Sequence, residues 1–175
     1  MKVSKTLFSV FIASSCNVYD KTWTKLPFLQ KLNSNGFGLD VNCNTGLSTN
    51  YIQSLFPNLT FFGIDSNNTA IEIAKKQFHS KNFYMMDLEN QTMNNDKEFQ
   101  VIQISDYSNC WNVLQKSYEI LENNGLLIIR YKEYDSALLL QLFRRNQMFP
   151  KKETPFGIVE NMYLFPNENT AVIIK

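Results

Sequence analysis

Three acids stand at corresponding points of the chain. Asp40 closes the apolar run "GFGLD", Asp65 closes "LTFFGID", and Asp87 closes "NFYMMD". A carboxylate at the end of a strand can accept hydrogen bonds from both hydroxyls of a vicinal diol. Asp65 lies 19 residues after Gly46, the separation at which one helix and one strand bring an acid to the ribose of a nucleotide-like ligand. The first acid falls in "LDVNCNTGLST", residues 39–49, in which a turn of small residues and a helix start follow it. Turns that hold a nucleotide favour glycine at several positions, for positive φ and for close approach of the backbone. Here Gly46 is present, while Asn42 and Asn44 occupy the other such positions. Asparagine tolerates positive φ better than other residues with a side chain, but its side chain takes up space.

Other chemistries find little support. His79 is the sole histidine, and it follows an amphipathic helix where a surface role is expected, so a hydrolytic triad lacks a positioned base. Cys16, Cys43 and Cys110 have no metal-ligand spacing, and no metal site is expected.

To bring the acids together the chain must fold as alternating strands and helices. "TGLSTNYIQSLF" sets Leu47, Tyr51 and Leu55 at a spacing of four, an apolar helical face that Pro57 ends. "NNTAIEIAKKQF" places Ala70, Ala74 and Phe78 on one face beside Ile71, with Thr69 and Glu72 spaced as a capping box. "FQVIQIS" reads as a strand. "NVLQKSYEIL" carries a helical stripe of Val113, Leu114, Ser117, Tyr118 and Leu121, and "ENNG" is expected to terminate it. "LLIIRY" reads as a central buried strand, and "DSALLLQLFRRNQ" as a helix capped by Asp135. In the tail, "PFGIVENMYLF" and "TAVIIK" flank the turn "PNEN" and predict an antiparallel hairpin. A helix over about residues 22–32 is expected to precede these elements. The fold expected is α/β, a Rossmann-like doubly wound sheet that is mostly parallel, with a C-terminal antiparallel hairpin. Residues 1–35 are read as an N-terminal helical cover and 36–175 as a single domain. The switch point, at the carboxyl end of the first strand, is where residues 40–46 fall.

Composition agrees with a globular chain of 175 residues, 44% of them hydrophobic and 14% aromatic. A net charge of +1 gives no general argument for nucleic acid or a membrane surface, although Arg144, Arg145, Lys151 and Lys152 form a local basic cluster. The start, "MKVSKTLFSVFIASSC", resembles a weak secretory or lipoprotein signal, but its apolar stretch is short and contains Ser9; a cytoplasmic protein is expected.

With these motifs in order, the chain resembles the class I S-adenosylmethionine-dependent methyltransferase family. "LDVNCNTGLST" is similar to that family's first motif, D-x-G-x-G-x-G, with asparagine at positions 42 and 44. "FFGIDSNNTAIEIAKK" resembles the second, "NFYMMDL" the third and "FQVIQISDYSNCW" the fourth. "SYEILENNGLLIIRY" resembles the following helix and central strand. The resemblance covers roughly residues 20–175 by order of elements and implies the seven-stranded methyltransferase fold. It implies S-adenosylmethionine as cofactor. Asp40 and the backbone of Asn42 to Gly46, Asn44 included, would line its methionine end. Asp65 would hold the ribose, Ser66 would lie beside the adenine, and Asp87 with Leu88 would contact the adenine. Ser105 and Asp106 would flank the sulfonium, with Asp106 as the candidate general base. Tyr107, Cys110 and Trp111 would face the acceptor. The implied reaction is methyl transfer to an unidentified acceptor; a small molecule is expected, with a macromolecule such as RNA left open. The alternative is a catalytically inactive methyltransferase-like binding or scaffolding protein. A homodimer or a partner methyltransferase is the protein partner expected. No "NPPY"-type fourth motif is present, which argues against the amino-group methyltransferases that use one. A nicotinamide dehydrogenase is disfavoured because no second domain remains for its substrate.

Overall fold

The computed structural model describes residues 32, 35–79, 82–93, 98–107, 111–131, 152–154, 157–159, 161–165 and 170–175. Among them the chain runs β1 (Gly36–Val41), α1 (Leu47–Leu55), β2 (Leu59–Asp65), α2 (Asn68–Phe78), β3 (Phe83–Met85), β4 (Phe99–Tyr107), α3 (Trp111–Glu119) and β5 (Leu121–Tyr131). The short strands β6 (Lys152–Thr154) and β7 (Gly157–Val159) follow, and then β8 (Asn161–Phe165) and β9 (Thr170–Ile174). Seven strands form one sheet in the order β3-β2-β1-β4-β5-β9-β8. From β1 the chain winds outward through β2 to β3, then returns across β1 to β4 and β5. All of these neighbours are parallel. β9 then inserts antiparallel beside β5, and β8 pairs antiparallel with β9. The expected doubly wound sheet with an antiparallel end is therefore what forms.

Strand alternation builds a core on each face. Phe61, Val101, Leu126, Ile128 and Val172 pack with Ile52 and Phe56 of the α1 segment. Leu39, Val41, Ile64, Ile102, Ile104, Leu127 and Ile129 pack with Val113 and Leu114 of α3. The last four of those strand residues are 0–1% exposed, and each such side chain contributes roughly 1.5–3 kcal/mol by leaving water. Both faces of the central strands are covered, which is why they read as continuous apolar runs.

Several elements differ from the sequence expectation. The inward residues of α1 are Ser48, Thr49 and Ile52, and Leu47 is 39% exposed. The helix is turned toward the buried Asp40, whose carboxylate takes the Ser48 and Thr49 hydroxyls, so Leu47 does not lie on the inner face as its spacing suggested. The cap of α2 is Asn67, whose side chain accepts from the amides of Thr69 and Ala70; Thr69 is the second helical residue, not the cap. α3 ends at Glu119, ahead of "ENNG", and β5 already starts at Leu121.

Residues 122–125 form an irregularity, since Phe99 pairs with Leu121 and Val101 with Leu126. Asn124 there takes a φ of 65°, its amide donates to the Lys175 carbonyl at 2.9 Å, and the Lys175 amide donates to Gly125 at 3.1 Å. Lys175 also closes α3, its Nζ donating to the carbonyls of Tyr118, Glu119 and Leu121. In the tail, Gly157–Val159 does not continue into β8 but pairs with Lys152–Thr154 in a separate two-stranded sheet. The expected N-terminal helix, the helix from Asp135, the cluster at Arg144, Arg145 and Lys151, and the turn at 166–169 lie outside the described residues. No helix among the described residues is long and apolar enough to cross a membrane.

Candidate functional site at the switch point

The loop after β1 has an alternating backbone. Asn42, Asn44 and Gly46 adopt φ of 58°, 50° and 83°, all left-handed. Asparagine thus takes the two positions where the sequence departs from glycine and supplies the conformation that glycine ordinarily provides. Cys43 between them points into the core, 2% exposed against Ile71, Ala74 and Phe83, and its amide donates to the Ile64 carbonyl at 3.0 Å. Burial pushes the Cys43 thiol far above its ordinary value. Gly46 allows no replacement of this kind. A Cβ there would lie 2.8 Å from the Phe83 ring and 3.0 Å from the Ala74 Cβ, so the loop end needs both left-handed backbone and contact with β3 and α2.

Asp40 holds this loop from beneath. Its side chain is wholly buried. Oδ2 accepts the hydroxyls of Ser48 and Thr49, each at 2.6 Å. Oδ1 accepts the Ser105 hydroxyl and the Gln103 Nε2 at 3.3 Å, and Gln103 also donates to the Ser105 Oγ at 2.8 Å. Burial nonetheless raises the Asp40 carboxyl above its usual range, opposed first by Ser105 and then by Ser48, Thr49 and Gln103. One carboxylate therefore ties β1 to the start of α1 and to the end of β4. It acts on the crevice through its partners, of which Ser105 keeps partial exposure.

Asp65 and Asp87 are reachable. Asp65 accepts the Asn44 amide at 2.8 Å on Oδ2 and the Asn67 amide at 2.9 Å on Oδ1, linking the first loop to the second. A carboxylate offers about four acceptor positions, so about two remain on Asp65 after these bonds. Ser66 beside it is exposed. The Met86 amide donates to the Asp65 carbonyl at 2.9 Å and brings the third strand end alongside. Asp87 opens the next turn, accepting the Glu89 amide on Oδ1 at 3.0 Å and the Asn90 side-chain amide on Oδ2 at 2.8 Å. The Asn90 bond foremost holds its carboxyl below the usual range. The Leu88 side chain is 4% exposed and belongs to the α3-side core, which leaves its backbone as the part of Leu88 that lies on the turn.

The acids at 40, 65 and 87 thus stand at adjoining strand ends, two presented to the crevice and one supporting it. Asp106 and Tyr107 end β4, and Trp111 begins α3; their side chains and the whole of Cys110 lie outside the described residues. Sequence reasoning missed Ser48, Thr49 and Gln103 as partners of Asp40, and Lys116, whose ammonium binds the turn after Asp87. Hydroxyls in the first turn after a buried acid, and a lone glutamine inside "VIQIS", were the available signals for the first three.

This geometry has relatives. Residues 39–125 match the family model described as a methyltransferase domain. Residues 39–125 thus carry a methyltransferase domain, consistent with the class I S-adenosylmethionine-dependent methyltransferase family. Its particular relatives are partial matches. A protein of Invertebrate iridescent virus 6 named "Putative methyltransferase 235L" is 34% identical over 77 residues, 43% of this chain and 28% of that protein. Among solved structures, the plantazolicin methyltransferase BpumL, in complex with a triazolic desmethylPZN analog and SAH, is 25% identical with a TM-score of 0.54, covering 69% of this chain and 48% of that one. Streptomyces venezuelae DesVI shares the fold at 14% identity and a TM-score of 0.56, covering 75% of this chain and 59% of that one. The chain thus spans about half the length of these solved relatives and under a third of the viral one.

Proposed function

We propose that this chain is a methyltransferase that uses S-adenosylmethionine to methylate a small-molecule acceptor. The observation that carries the reading is the left-handed path at Asn42, Asn44 and Gly46, joined by the Asn44 amide to an Asp65 that keeps acceptor capacity. That path gives a backbone able to run close to a ligand despite the lost glycines. In this reading Asp65 accepts both ribose hydroxyls, Ser66 lies beside the adenine, and Asp87 with the Leu88 backbone meets the adenine edge. Asn42, Asn44, Gly46 and Ser105 line the methionine end, and Asp40 holds them from below.

When bound, the cofactor supplies a methyl group already electrophilic on its sulfonium. The protein's task is then mostly to hold the acceptor in line, which is worth several kcal/mol in well-oriented reactions, roughly 7–11 at best. Tyr107, Cys110 and Trp111 would face the acceptor, and Asp106 would take a proton from an acceptor that must lose one. BpumL is crystallised with desmethylPZN analogs beside SAH, which supports a small-molecule acceptor here. The test is transfer of labelled methyl from S-adenosylmethionine across a panel of hydroxyl, amine and carboxylate acceptors. Label transferred by the wild-type chain and lost in D65N is the expected result. No transfer to any acceptor, with no turnover of the cofactor, would count against catalysis.

A further inference from the structure

Lys116 lies on α3, off the apolar stripe read from the sequence and outside the stretches that resemble the family motifs. Its Nζ donates to the carbonyls of Leu88, Glu89 and Gln91 at 3.0, 2.8 and 3.0 Å. An ammonium has three N–H donors, so this turn takes all of them. The same turn is tied from its other side. Asp87 accepts the Glu89 amide and the Asn90 side chain, the Asp87 amide donates to the Gln91 side chain at 3.2 Å, and the Gln91 amide donates to the Asp87 carbonyl at 2.8 Å.

The segment is otherwise anchored by the buried Leu88 side chain and the Met86 amide on the Asp65 carbonyl. β3 has three residues and, among the described residues, pairs with β2 alone. α3, by contrast, is rooted in the core by Val113, Leu114 and Ser117 and closed at its end by Lys175. Lys116 therefore transmits the position of a rigid helix to a turn on a short edge strand.

We propose that Lys116 is a positioning residue for the nucleoside half of the site: it holds residues 87–91 in the arrangement in which Asp87 accepts the exocyclic amino group of a purine. The inference rests on the reading of the crevice as the S-adenosylmethionine site and assigns that site a residue from a distant element. Lys116 touches no part of the ligand; it acts through Asp87.

The test compares two probes on the full chain by calorimetry, S-adenosylhomocysteine and S-inosylhomocysteine. The second lacks the amino group that Asp87 would accept. K116M should weaken S-adenosylhomocysteine about tenfold and leave S-inosylhomocysteine within about threefold, a coupling of ordinary size. K116R, which keeps several donors for carbonyls, should restore most of the loss. In the D87N background K116M should add little. Should K116M lose its cooperative unfolding transition, K116Q takes its place in the same comparison. Equal weakening of both probes, or an undiminished K116M effect in D87N, would overturn the proposal, since a merely structural role acts that way. Failure of the wild-type chain to bind S-adenosylhomocysteine overturns the cofactor reading itself and this inference with it. That failure appears before any substitution and is thereby distinguishable.

Discussion

Replacing Asn42 and Asn44 together, once by alanine and once by glycine, isolates what the two residues contribute. Both hold left-handed backbone, at φ 58° and 50°. Alanine in that region costs about 1–2 kcal/mol, and asparagine is several-fold enriched there, which removes about 1 kcal/mol of that cost. Each alanine should therefore destabilise by about 1 kcal/mol and the pair by about 2, with some coupling because one loop holds both. Glycine relieves the remaining cost but gives the unfolded chain extra freedom worth about 0.4–1 kcal/mol, so N42G/N44G should stay within about 0.5 kcal/mol of wild type. Urea unfolding with a common m-value reads both, and in thermal melts the alanine pair should fall by about 4–8 °C. The glycine pair should also keep its affinity for S-adenosylhomocysteine within about threefold, a change of under 1 kcal/mol. An alanine pair as stable as wild type would refute the claim that asparagine stands in for glycine. A glycine pair that binds more than about tenfold tighter would show that the asparagine side chains obstruct the ligand.

Two further outcomes follow from the same loop. G46A adds a left-handed alanine and drives its Cβ to 2.8 Å from the Phe83 ring, so it should cost about 2–5 kcal/mol by urea unfolding; a loss under about 0.5 would contradict the packing described. Burial holds the Asp40 carboxyl above its ordinary 3.8, so the folded chain keeps a proton that the unfolded chain has already released. This contribution is fully present below that value and is lost as pH rises through the folded-state value. D40N lacks it, so the stability gap between wild type and D40N should narrow as pH rises above about 4, and a gap that widens with rising pH would refute the assignment.

The order of elements was legible because strand and helix periods differ and because each acid ends a short apolar run. The asparagines were legible too, since few side chains tolerate their backbone. Other features needed contacts distant in sequence. The inner face of α1 follows Asp40, which draws polar Ser48 and Thr49 inward against the hydropathy pattern. The early start of β5 depends on Asn124 and Gly125 meeting the backbone of Lys175. The cap of α2 turned on geometry, because Asn67 and Thr69 both suit an N-terminus and Asn67 is the one that sits ahead of the first turn. Lys116 carried no signal, since a lysine on a helix is ordinarily a solvated charge and only the folded chain sets three carbonyls around it.

The most direct measurement is a calorimetric titration of the wild-type chain with S-adenosylhomocysteine, with D65N titrated alongside. Saturable one-to-one binding that D65N weakens by about tenfold or more is the result expected of a ribose held by that carboxylate. Absence of heat and of any thermal shift at millimolar ligand, or equal binding by D65N, would contradict the account at its centre.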